Sequence, residues 1–351
     1  MKHRTLPILL AAVSLWLPAG SALADGLVVK PRAYKGSLEE RAQSAMIVFS
    51  GGDGEKSAVQ DLILKIRVEG ETDEFAWVVP LPNPPKTEKA DPKLFEELFN
   101  YVEARKRPPV TPKNKLAFGG AKSDAKPAAE QTVEVVSREV VGSFDVAVVR
   151  EKVAGALNDW LEKEGFQRVG GRKAEEVIGF YREKGYVFAC MKVSDAALAE
   201  GGADLHPLRL TFETGGRDGI YFPMRLTGLQ SSPFDVNLYV FYRAWLNDHI
   251  NRYGYEHRGF KRNWRDYDSS RCKPNAGKTW SNPERDPYLV SHARRIPTLT
   301  KYFQARYPGE RFYLTNIIAR GLEPDAVADW SDDLWLYPYY TDPKFVPYDA
   351  R

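Results

Sequence analysis

The stretch from Trp245 to Arg295 of this 351-residue chain interleaves basic with aromatic residues. Aromatic rings can stack on sugar rings, and guanidinium groups offer forked donors to carboxylates and phosphates. The mixture predicts a surface that binds an anionic ligand, and the alternative is a long irregular lid whose aromatic side chains only pack on the sheet beneath. The residues predicted to carry the binding are Arg262, Trp264, Arg265, Tyr267 and Trp280.

Two other groups of residues have side chains of the types that hold metal ions. His249 and His257 could share one helical face, but Gly254 and Gly259 favour a loop with surface or hydrogen-bonded histidines. Four aspartates near the C-terminus could gather a calcium ion, or could form a solvated acidic turn, since they lack an EF-hand pattern. These aspartates are Asp325, Asp329, Asp332 and Asp333. We predict no metal and no cofactor.

The chain has two cysteines, Cys190 and Cys272. On a predicted strand, Cys190 shares a face with Tyr186, Phe188 and Lys192, and the opposite, wholly apolar face is interpreted as the core face. Cys190 could then meet Cys272 above the sheet. A disulfide between them and two unpaired thiols both remain open.

The common catalytic signatures are absent from the sequence, which has no HExxH, GxSxG, CxxC, glycine-rich phosphate loop or EF-hand loop. We therefore favour a protein that is not an enzyme, although this absence does not exclude one. The formal net charge is +3, from 50 basic and 47 acidic residues, and this balance predicts no nucleic-acid partner. Hydrophobic residues make up 43% of the chain, which is enough for a sizeable core.

The elements that must position these residues begin with two predicted β-hairpins. Over residues 62–68 apolar side chains recur at every second position, with Lys65 and Arg67 between them, and after a turn residues 75–81 run apolar again. Pro80 and Pro82 cannot donate to a strand ladder, so the second strand must end or lie at an edge there. We predict that Trp77 anchors this hairpin in the core.

Residues 208–224 repeat this pattern, with alternating apolar residues, a Gly/Asp turn and an apolar run into Pro223. Both copies place an apolar-Pro-apolar triplet after the turn. An internal duplication is one interpretation, and chance similarity between two amphipathic hairpins is the other.

Several helices are predicted between and after these strands. Asp91 should cap the first, with Pro92 at its first position, and two further helices should end at Gly165 and Gly185. A short helix should begin near Pro297. The first helix should bury Leu94, Phe95, Leu98, Phe99 and Val102, and the second should present Val153, Leu157, Trp160 and Leu161. The predicted fold class is α+β, with mainly antiparallel β-hairpins packed with three to four helices in one compact unit.

The N-terminus has the pattern of a secretory signal peptide. A basic start precedes a short apolar run, and Ala22-Leu23-Ala24 fits the small-x-small cleavage rule. We therefore predict a leader over residues 1–24 and a periplasmic or secreted protein. No later stretch approaches the roughly 18 apolar residues of a membrane span, so none is predicted in the mature chain. The predicted divisions are an α+β core over 25–242 with a flexible excursion at about 107–131, a basic and aromatic insertion over 243–296, and a segment over 297–351 that completes the same unit.

Several motifs resemble those of a known bacterial family. The run "FAWVVPLPNPP", then "LFEELF", "VVGSFDVAVV", "LNDWLEKEGF", "YVFACMKV", "LHPLRLTFET" and "IYFPMRL", occurs in an order similar to the family catalogued as domain of unknown function 2330. The similarity covers roughly Val48 to Tyr242. It implies an exported bacterial protein with no established activity and no catalytic residues to carry over. One departure is that a cysteine expected near the mature N-terminus of many members is missing here.

These observations together favour an exported, non-catalytic cell-envelope protein that binds an anionic envelope polymer, such as peptidoglycan or lipopolysaccharide, or an envelope protein. The alternatives are an envelope hydrolase that acts on glycan or peptide, and a purely structural envelope protein. A deep cleft that gathers carboxylates with raised pKa would favour the hydrolase, whereas a shallow aromatic and basic surface would favour binding.

Overall fold

The structure is a computed structural model. It describes residues 26–36, 38–50, 58–69, 72, 74–103, 134–193, 205–215, 219–242, 246, 258–265, 296–308, 310 and 312–336. These residues form an α+β fold dominated by antiparallel strands, as the sequence predicts.

The largest element is a seven-stranded sheet. Its strands are β2 (Glu39–Phe49), β3 (Val59–Glu69), β5 (Lys86–Lys89), β9 (Leu208–Glu213), β11 (Phe234–Tyr242), β12 (Lys261–Arg265) and β13 (Tyr313–Leu322). They lie in the order β12-β13-β11-β2-β3-β9-β5, and all neighbours are antiparallel except β11 and β2. The C-terminal β13 thus lies between β11 and the edge strand β12.

A five-stranded antiparallel sheet and a two-stranded ribbon complete the β structure. The five-stranded sheet contains β1 (Leu27–Val29), β4 (Phe75–Leu81), β6 (Glu134–Val141), β7 (Phe144–Arg150) and β8 (Val187–Val193), and the ribbon contains β10 (Ile220–Phe222) and β14 (Leu334–Leu336). The order in the five-stranded sheet is β1-β4-β8-β7-β6. Strand β1 therefore forms one edge of it.

The described residues form five α-helices and one 3-10 turn, against three to four predicted helices. The helices are α1 (Lys93–Glu103), α2 (Ala156–Lys163), α3 (Arg172–Glu183), α4 (Pro297–Arg306) and α5 (Pro324–Ala328), and the turn is Thr227–Leu229. The predicted cap is confirmed, since the Lys93 N–H donates to Asp91 Oδ1 at 2.9 Å. Two predicted core residues are wrong: Phe99 is 54% and Val153 is 60% exposed.

Two hydrophobic cores lie on opposite faces of the seven-stranded sheet. The first contains Leu62 and Leu64 of β3 together with side chains of the five-stranded sheet, α2 and α3. The second contains Ile63 of the same strand together with side chains of α1 and α4. Successive side chains of a strand point to opposite faces, so β3 is buried on both sides.

Neither of the two predicted hairpins forms. Strand β3 pairs with β2 and β9, whereas β4 pairs with β1 and β8 in the other sheet. Likewise β9 pairs with β3 and β5, whereas β10 pairs with β14. The strands are in the predicted places, but the chain crosses between sheets after each turn because each strand is buried by elements distant in sequence. The duplication itself stays a prediction.

Strand β4 explains how the prolines are accommodated. Pro80 lies within the strand, opposite Phe188 of β8, and is not its end. On the other edge β1 pairs only with residues 76–78, so Pro80 lies beyond the reach of β1. Its lack of an N–H therefore leaves no gap in the ladder with β1. Trp77 is fully buried as predicted, with its ring 6.4 Å from that of Phe144.

Several predicted segments lie outside the described residues. These are the leader over 1–24, the excursion at about 107–131 and most of the insertion over 243–296, so the predicted divisions of the chain stay predictions. None of the helices formed by the described residues is long and apolar enough to cross a bilayer.

Candidate functional site

The residues predicted to form the binding surface fall on β12 and beyond it. Arg262 is exposed on this edge strand, and its backbone lies opposite Ile317 of β13. Trp264 and Arg265 belong to the same strand, but their side chains are outside the described part of the structure. Tyr267 and Trp280 are also outside it. A joint role for these five residues stays a prediction.

Cys190 lies in β8, where both faces of the strand are buried, so the prediction that only one face is a core face is wrong. Its Sγ donates to the Phe188 carbonyl at 3.8 Å. Burial raises the pKa of the thiol. Cys272 lies outside the described residues, so a disulfide between the two stays a prediction.

The residues considered as metal ligands either point to different surroundings or lie outside the described residues. His249 and His257 lie outside the described residues, and no group of three or more metal-binding side chains occurs within the described ones. Asp325 is exposed on α5, and Asp329 pairs with Lys173. Asp332 and Asp333 have different surroundings, because the first reaches the surface and the second is buried.

Asp333 is the centre of a buried polar cluster that sequence analysis did not predict. Its Oδ1 accepts the Tyr181 hydroxyl at 2.8 Å and the Met224 and Arg225 N–H groups at 2.9 Å each. Its Oδ2 accepts the Tyr221 hydroxyl at 2.8 Å. The carboxylate thus joins α3, β10, the segment after β10 and the segment before β14.

The environment of Asp333 acts on its charge in two opposing ways. Burial raises its pKa above the ordinary value, and the hydrogen bonds from Arg225, Met224, Tyr221 and Tyr181 oppose this rise. Burial also raises the pKa of Tyr181 and of Tyr221, and the neighbouring Asp333 charge raises both further. These phenols are therefore neutral donors to the carboxylate at neutral pH.

Above this cluster lies a half-buried surface that combines cations with aromatic rings. The Arg225 guanidinium lies 4.1 Å from the centroid of the Phe180 ring, within the range of a cation–π contact. Its Nε and Nη2 donate to the Ala328 carbonyl at 3.2 and 3.1 Å. The side chain is thus held by a ring of α3 on one side and by the end of α5 on the other.

Arg258 repeats this arrangement from a different part of the chain. Its guanidinium lies 4.3 Å from the centroid of the Trp330 ring, and its Nη1 donates to the Asp332 carbonyl at 3.0 Å. Lys184 donates to Asp332 Oδ2 at 3.0 Å and lies 4.7 Å from the Phe180 centroid. We call these six residues the cation–aromatic surface: Phe180, Lys184, Arg225, Arg258, Trp330 and Asp332.

The two arginines are close enough to affect each other electrostatically. Burial lowers the pKa of Arg258, and the Arg225 charge lowers it further, while Asp332 and Asp333 raise it. Arg258 stays charged at neutral pH, because an arginine titrates far above it. The surface carries three cations, Lys184, Arg225 and Arg258, against the half-buried carboxylate of Asp332 and the buried Asp333, and this excess of positive charge favours an anion. The surface can therefore bind a carboxylate or phosphate group.

A second polar cluster lies on the opposite face of the seven-stranded sheet. Asp61 of β3 is fully buried and accepts the Thr211 hydroxyl at 2.5 Å and the Tyr302 hydroxyl at 2.6 Å. Arg306 of α4 forms a fork on the same carboxylate, at 2.8 and 3.1 Å. Burial alone would raise the pKa of Asp61, but these hydrogen bonds outweigh it and hold the pKa below its ordinary value. Because its donors come from α4 and β9, we assign this cluster to the attachment of α4.

Most residues of the cation–aromatic surface carried no signal in the sequence. Arg258 lies in the segment that its composition singles out, but Phe180 lies in an ordinary predicted helix and Arg225 directly follows the second predicted hairpin. Trp330 lies beside the four aspartates that could suggest a calcium site. The surface exists only because the fold brings four distant segments together.

Comparisons with known proteins give a family and no described activity. A family model described as an uncharacterized protein conserved in bacteria (DUF2330) matches residues 20–294. A search of curated proteins finds no match. Among solved structures, the crystal structure of baculovirus P35 aligns with 65% of this chain and 70% of that chain, at 11% identity and a TM-score of 0.38. A TM-score at this level carries no argument about either fold or function.

Proposed function

Because the chain belongs to the bacterial family catalogued as domain of unknown function 2330, we propose that it is an exported cell-envelope protein that acts by binding an anionic partner. The observation that carries this proposal is the pair of stacked guanidinium groups. Arg225 lies 4.1 Å from the Phe180 centroid and Arg258 lies 4.3 Å from the Trp330 centroid. The cation–aromatic surface is the proposed site.

Each of the two arginines is held by contacts within the protein. Each is stacked on a ring and each donates to a backbone carbonyl, of Ala328 or of Asp332. A planar fork held in this way loses less conformational entropy on binding than a free side chain would. Preorganisation of this kind distinguishes the surface from a set of solvated surface cations.

The proposed ligand is an anionic polymer of the cell envelope, such as peptidoglycan or lipopolysaccharide. Export is supported by the leader pattern that ends at Ala24. Carboxylates or phosphates would pair with Arg225 and Arg258, and sugar rings would stack on the half-buried Trp330. Strand β12 begins three residues after Arg258 and presents the exposed Arg262, which extends the cationic surface along the sheet edge.

The buried carboxylate below this surface supports binding more than hydrolysis. A general acid needs a raised pKa and also access to the substrate. Asp333 has the raised pKa, but it is only 1% exposed and both of its oxygens accept hydrogen bonds. We therefore assign Asp333 to holding the surface in shape.

Co-sedimentation of the purified protein with insoluble peptidoglycan and with lipopolysaccharide tests the proposal. The informative variant is Arg225→Gln/Arg258→Gln, which removes both stacked charges. A matched control is Arg150→Gln/Arg172→Gln, which removes two exposed or half-exposed arginines outside the cation–aromatic surface. The control keeps the change in net charge the same.

We expect the wild type and the control to sediment with at least one of the two polymers, and the Arg225→Gln/Arg258→Gln variant to stay largely in solution. Equal losses in both variants would mean that net charge alone drives the binding. Sedimentation of all three proteins alike, or of none, would overturn the proposal. Circular dichroism of each variant checks that the fold is retained.

A further inference from the structure

Strand β1 has a second, incomplete partner on its outer edge. The Gln167 N–H donates to the Lys30 carbonyl at 2.8 Å, and the Arg32 N–H donates to the Gly165 carbonyl at 2.9 Å. This is the pattern of an antiparallel ladder in which Pro31 lies opposite Phe166. Continued in the same register, the ladder would next bond Val28 of β1 to Val169.

That next pair does not form, because Asn158 of α2 takes the backbone groups of Val169. The Val169 N–H donates to Asn158 Oδ1 at 2.7 Å, and Asn158 Nδ2 donates to the Val169 carbonyl at 3.0 Å. These are the two groups that would otherwise bond to Val28. Backbone groups of alternate residues point to the same edge of a strand. The N–H and C=O of Val28 therefore point outward as those of Lys30 and Arg32 do.

A groove of about 310 Å³ opens where strand β1 and the segment that contains Val169 separate from each other. Strand β1 forms one wall, and the segment that leads into α3 forms the other. No residue of the described part of the chain bonds to Val28 on this edge. The charged and polar residues that line the groove are Lys30, Gln167, Arg168, Lys173, Gln230 and Asp325.

The charge of the lining indicates what the groove accepts. It contains three cations and one carboxylate. Arg168 already pairs with Asp159 and Glu162, and Lys173 pairs with Asp329. Lys30 donates to the Gly36 carbonyl at 3.0 Å and has no carboxylate within ion-pair distance among the described residues. It therefore has a charge that an acidic ligand can meet.

We propose that this groove binds an extended, acidic segment of a partner protein as an added antiparallel strand. The Val28 N–H and C=O would bond to its backbone, and these are the groups left for an added strand on this edge, because the Gly26 N–H donates to Thr227 Oγ1 at 3.0 Å and Lys30 and Arg32 bond to residues 165–167. An acidic side chain of the segment would pair with Lys30. Asn158 is a positioning residue, because it keeps Val169 away from β1. This site is separate from the cation–aromatic surface, so either proposal can fail alone.

The test uses blocked, fluorescently labelled hexapeptides and the purified protein. The probe alternates Glu and Val, one control peptide alternates Lys and Val, and a second control is the Glu/Val peptide with methylated backbone nitrogens. We expect the Glu/Val probe to bind. Both control peptides should bind at least about tenfold more weakly, which corresponds to a difference in binding free energy of about 1.4 kcal/mol. Binding of the methylated peptide as tightly as the probe would overturn strand addition, and no binding of the probe at millimolar concentration would overturn the site.

Two variants locate the binding of the probe in the groove. Val28→Pro removes the donor and should weaken the probe about tenfold, while Lys30→Glu should reverse the preference between the Glu/Val and Lys/Val peptides. Lys35→Glu, an exposed lysine that does not line the groove, is the matched control and should behave as wild type. Unchanged binding by Lys30→Glu would overturn the role of Lys30.

Hydrogen exchange keeps the test decisive if Val28→Pro does not fold. Amide exchange of the wild-type segment 27–30 should slow when the probe is added, because the Val28 N–H becomes bonded. Binding without slower exchange there would place the probe elsewhere and overturn the proposal. Sedimentation equilibrium of the protein with and without the probe completes the test. A dimer that the probe dissociates would overturn the proposed partner protein, because the occupant would then be a second copy of this chain.

Discussion

The Arg258 guanidinium stacks on the Trp330 ring at 4.3 Å, although the two residues lie in different segments of the chain. Arg225 and Phe180 form the same contact at 4.1 Å beside them. The buried Asp333 lies below, bonded to the backbone of Arg225 and next in sequence to Asp332, whose carbonyl accepts from Arg258. Asp333 therefore ties its own segment, which carries Trp330, to Arg225 and to the helix that carries Phe180, and Arg258 reaches that segment through the Asp332 carbonyl.

The first prediction concerns Asp333 and its four donors. Asp333→Ala should lower the free energy of unfolding by at least about 3 kcal/mol, because three buried donors are left without an acceptor and each costs about 1–3 kcal/mol. Asp333→Asn should cost much less. Its Oδ1 can still accept three bonds, and its amide can donate to Tyr221, whose hydroxyl can then donate to the Pro80 carbonyl, 3.0 Å away. Urea unfolding measures both, and equal losses in the two variants would contradict this account.

The same pair of proteins gives a prediction about pH. Burial raises the pKa of Asp333 in the folded state, so the folded state holds its proton more tightly than the unfolded state does. As the pH rises from the unfolded pKa of about 3.9 through the folded pKa, the wild type should lose stability relative to Asp333→Asn. A stability difference that does not vary with pH over this window would show that the pKa is not raised.

Asp61 should behave in the opposite way. Its pKa is lowered by hydrogen bonds that outweigh burial, so the stability it contributes is full above the unfolded pKa of about 3.9 and is lost as the pH falls through the folded pKa. Asp61→Asn should lower the free energy of unfolding by about 3 kcal/mol at neutral pH, because Arg306 loses its buried partner. The loss of stability below the unfolded pKa should also be smaller in this variant than in the wild type. Urea unfolding from pH 7 downward measures this, with Glu162→Gln, at a half-exposed carboxylate that pairs with Arg32, as control.

Trp77 gives the sharpest test of the core. Its side chain is fully buried in the first core, so Trp77→Ala should lower the free energy of unfolding by about 3–5 kcal/mol. Trp330→Ala, at a half-buried position, should cost less. A urea midpoint unchanged by Trp77→Ala would place the ring at the surface.

The elements of this fold could be predicted from the sequence, but their partners could not. Alternation in β3 and the apolar run of β4 identify two strands, and Asp91 identifies the start of α1. The turn between β3 and β4 has the residues of a hairpin turn, yet each strand pairs with elements distant in sequence. Pairing depends on which surfaces bury each strand best, and a local pattern does not contain that information.

The site shows the same limit. The segment from Trp245 to Arg295 contains Arg258, but the composition predicts binding by Arg262, Trp264, Arg265, Tyr267 and Trp280 instead. The aspartates before β14 suggested calcium or a solvated turn, whereas Asp333 proves to be a buried acceptor. Burial decides between these roles, and burial follows from the packing of α3 and β10 around it.

Export is tested separately from binding. The mature protein should begin at Asp25, because Ala22-Leu23-Ala24 fits the cleavage rule. Mass spectrometry of the protein purified from its native host measures the N-terminus. A protein that still carries Met1 would contradict export by this route and leave the binding proposal to stand on its geometry alone.

The central claim is that the cation–aromatic surface binds an anionic envelope polymer, and a comparison of dissociation constants tests it most directly. Soluble peptidoglycan fragments and lipopolysaccharide are titrated into the wild type, Arg225→Gln/Arg258→Gln and the control Arg150→Gln/Arg172→Gln, at low and physiological salt. We predict wild-type binding to at least one polymer that weakens as salt rises, a control that matches the wild type, and a loss of about tenfold or more in Arg225→Gln/Arg258→Gln. Equal dissociation constants for all three proteins, or no binding by the wild type, would contradict the account.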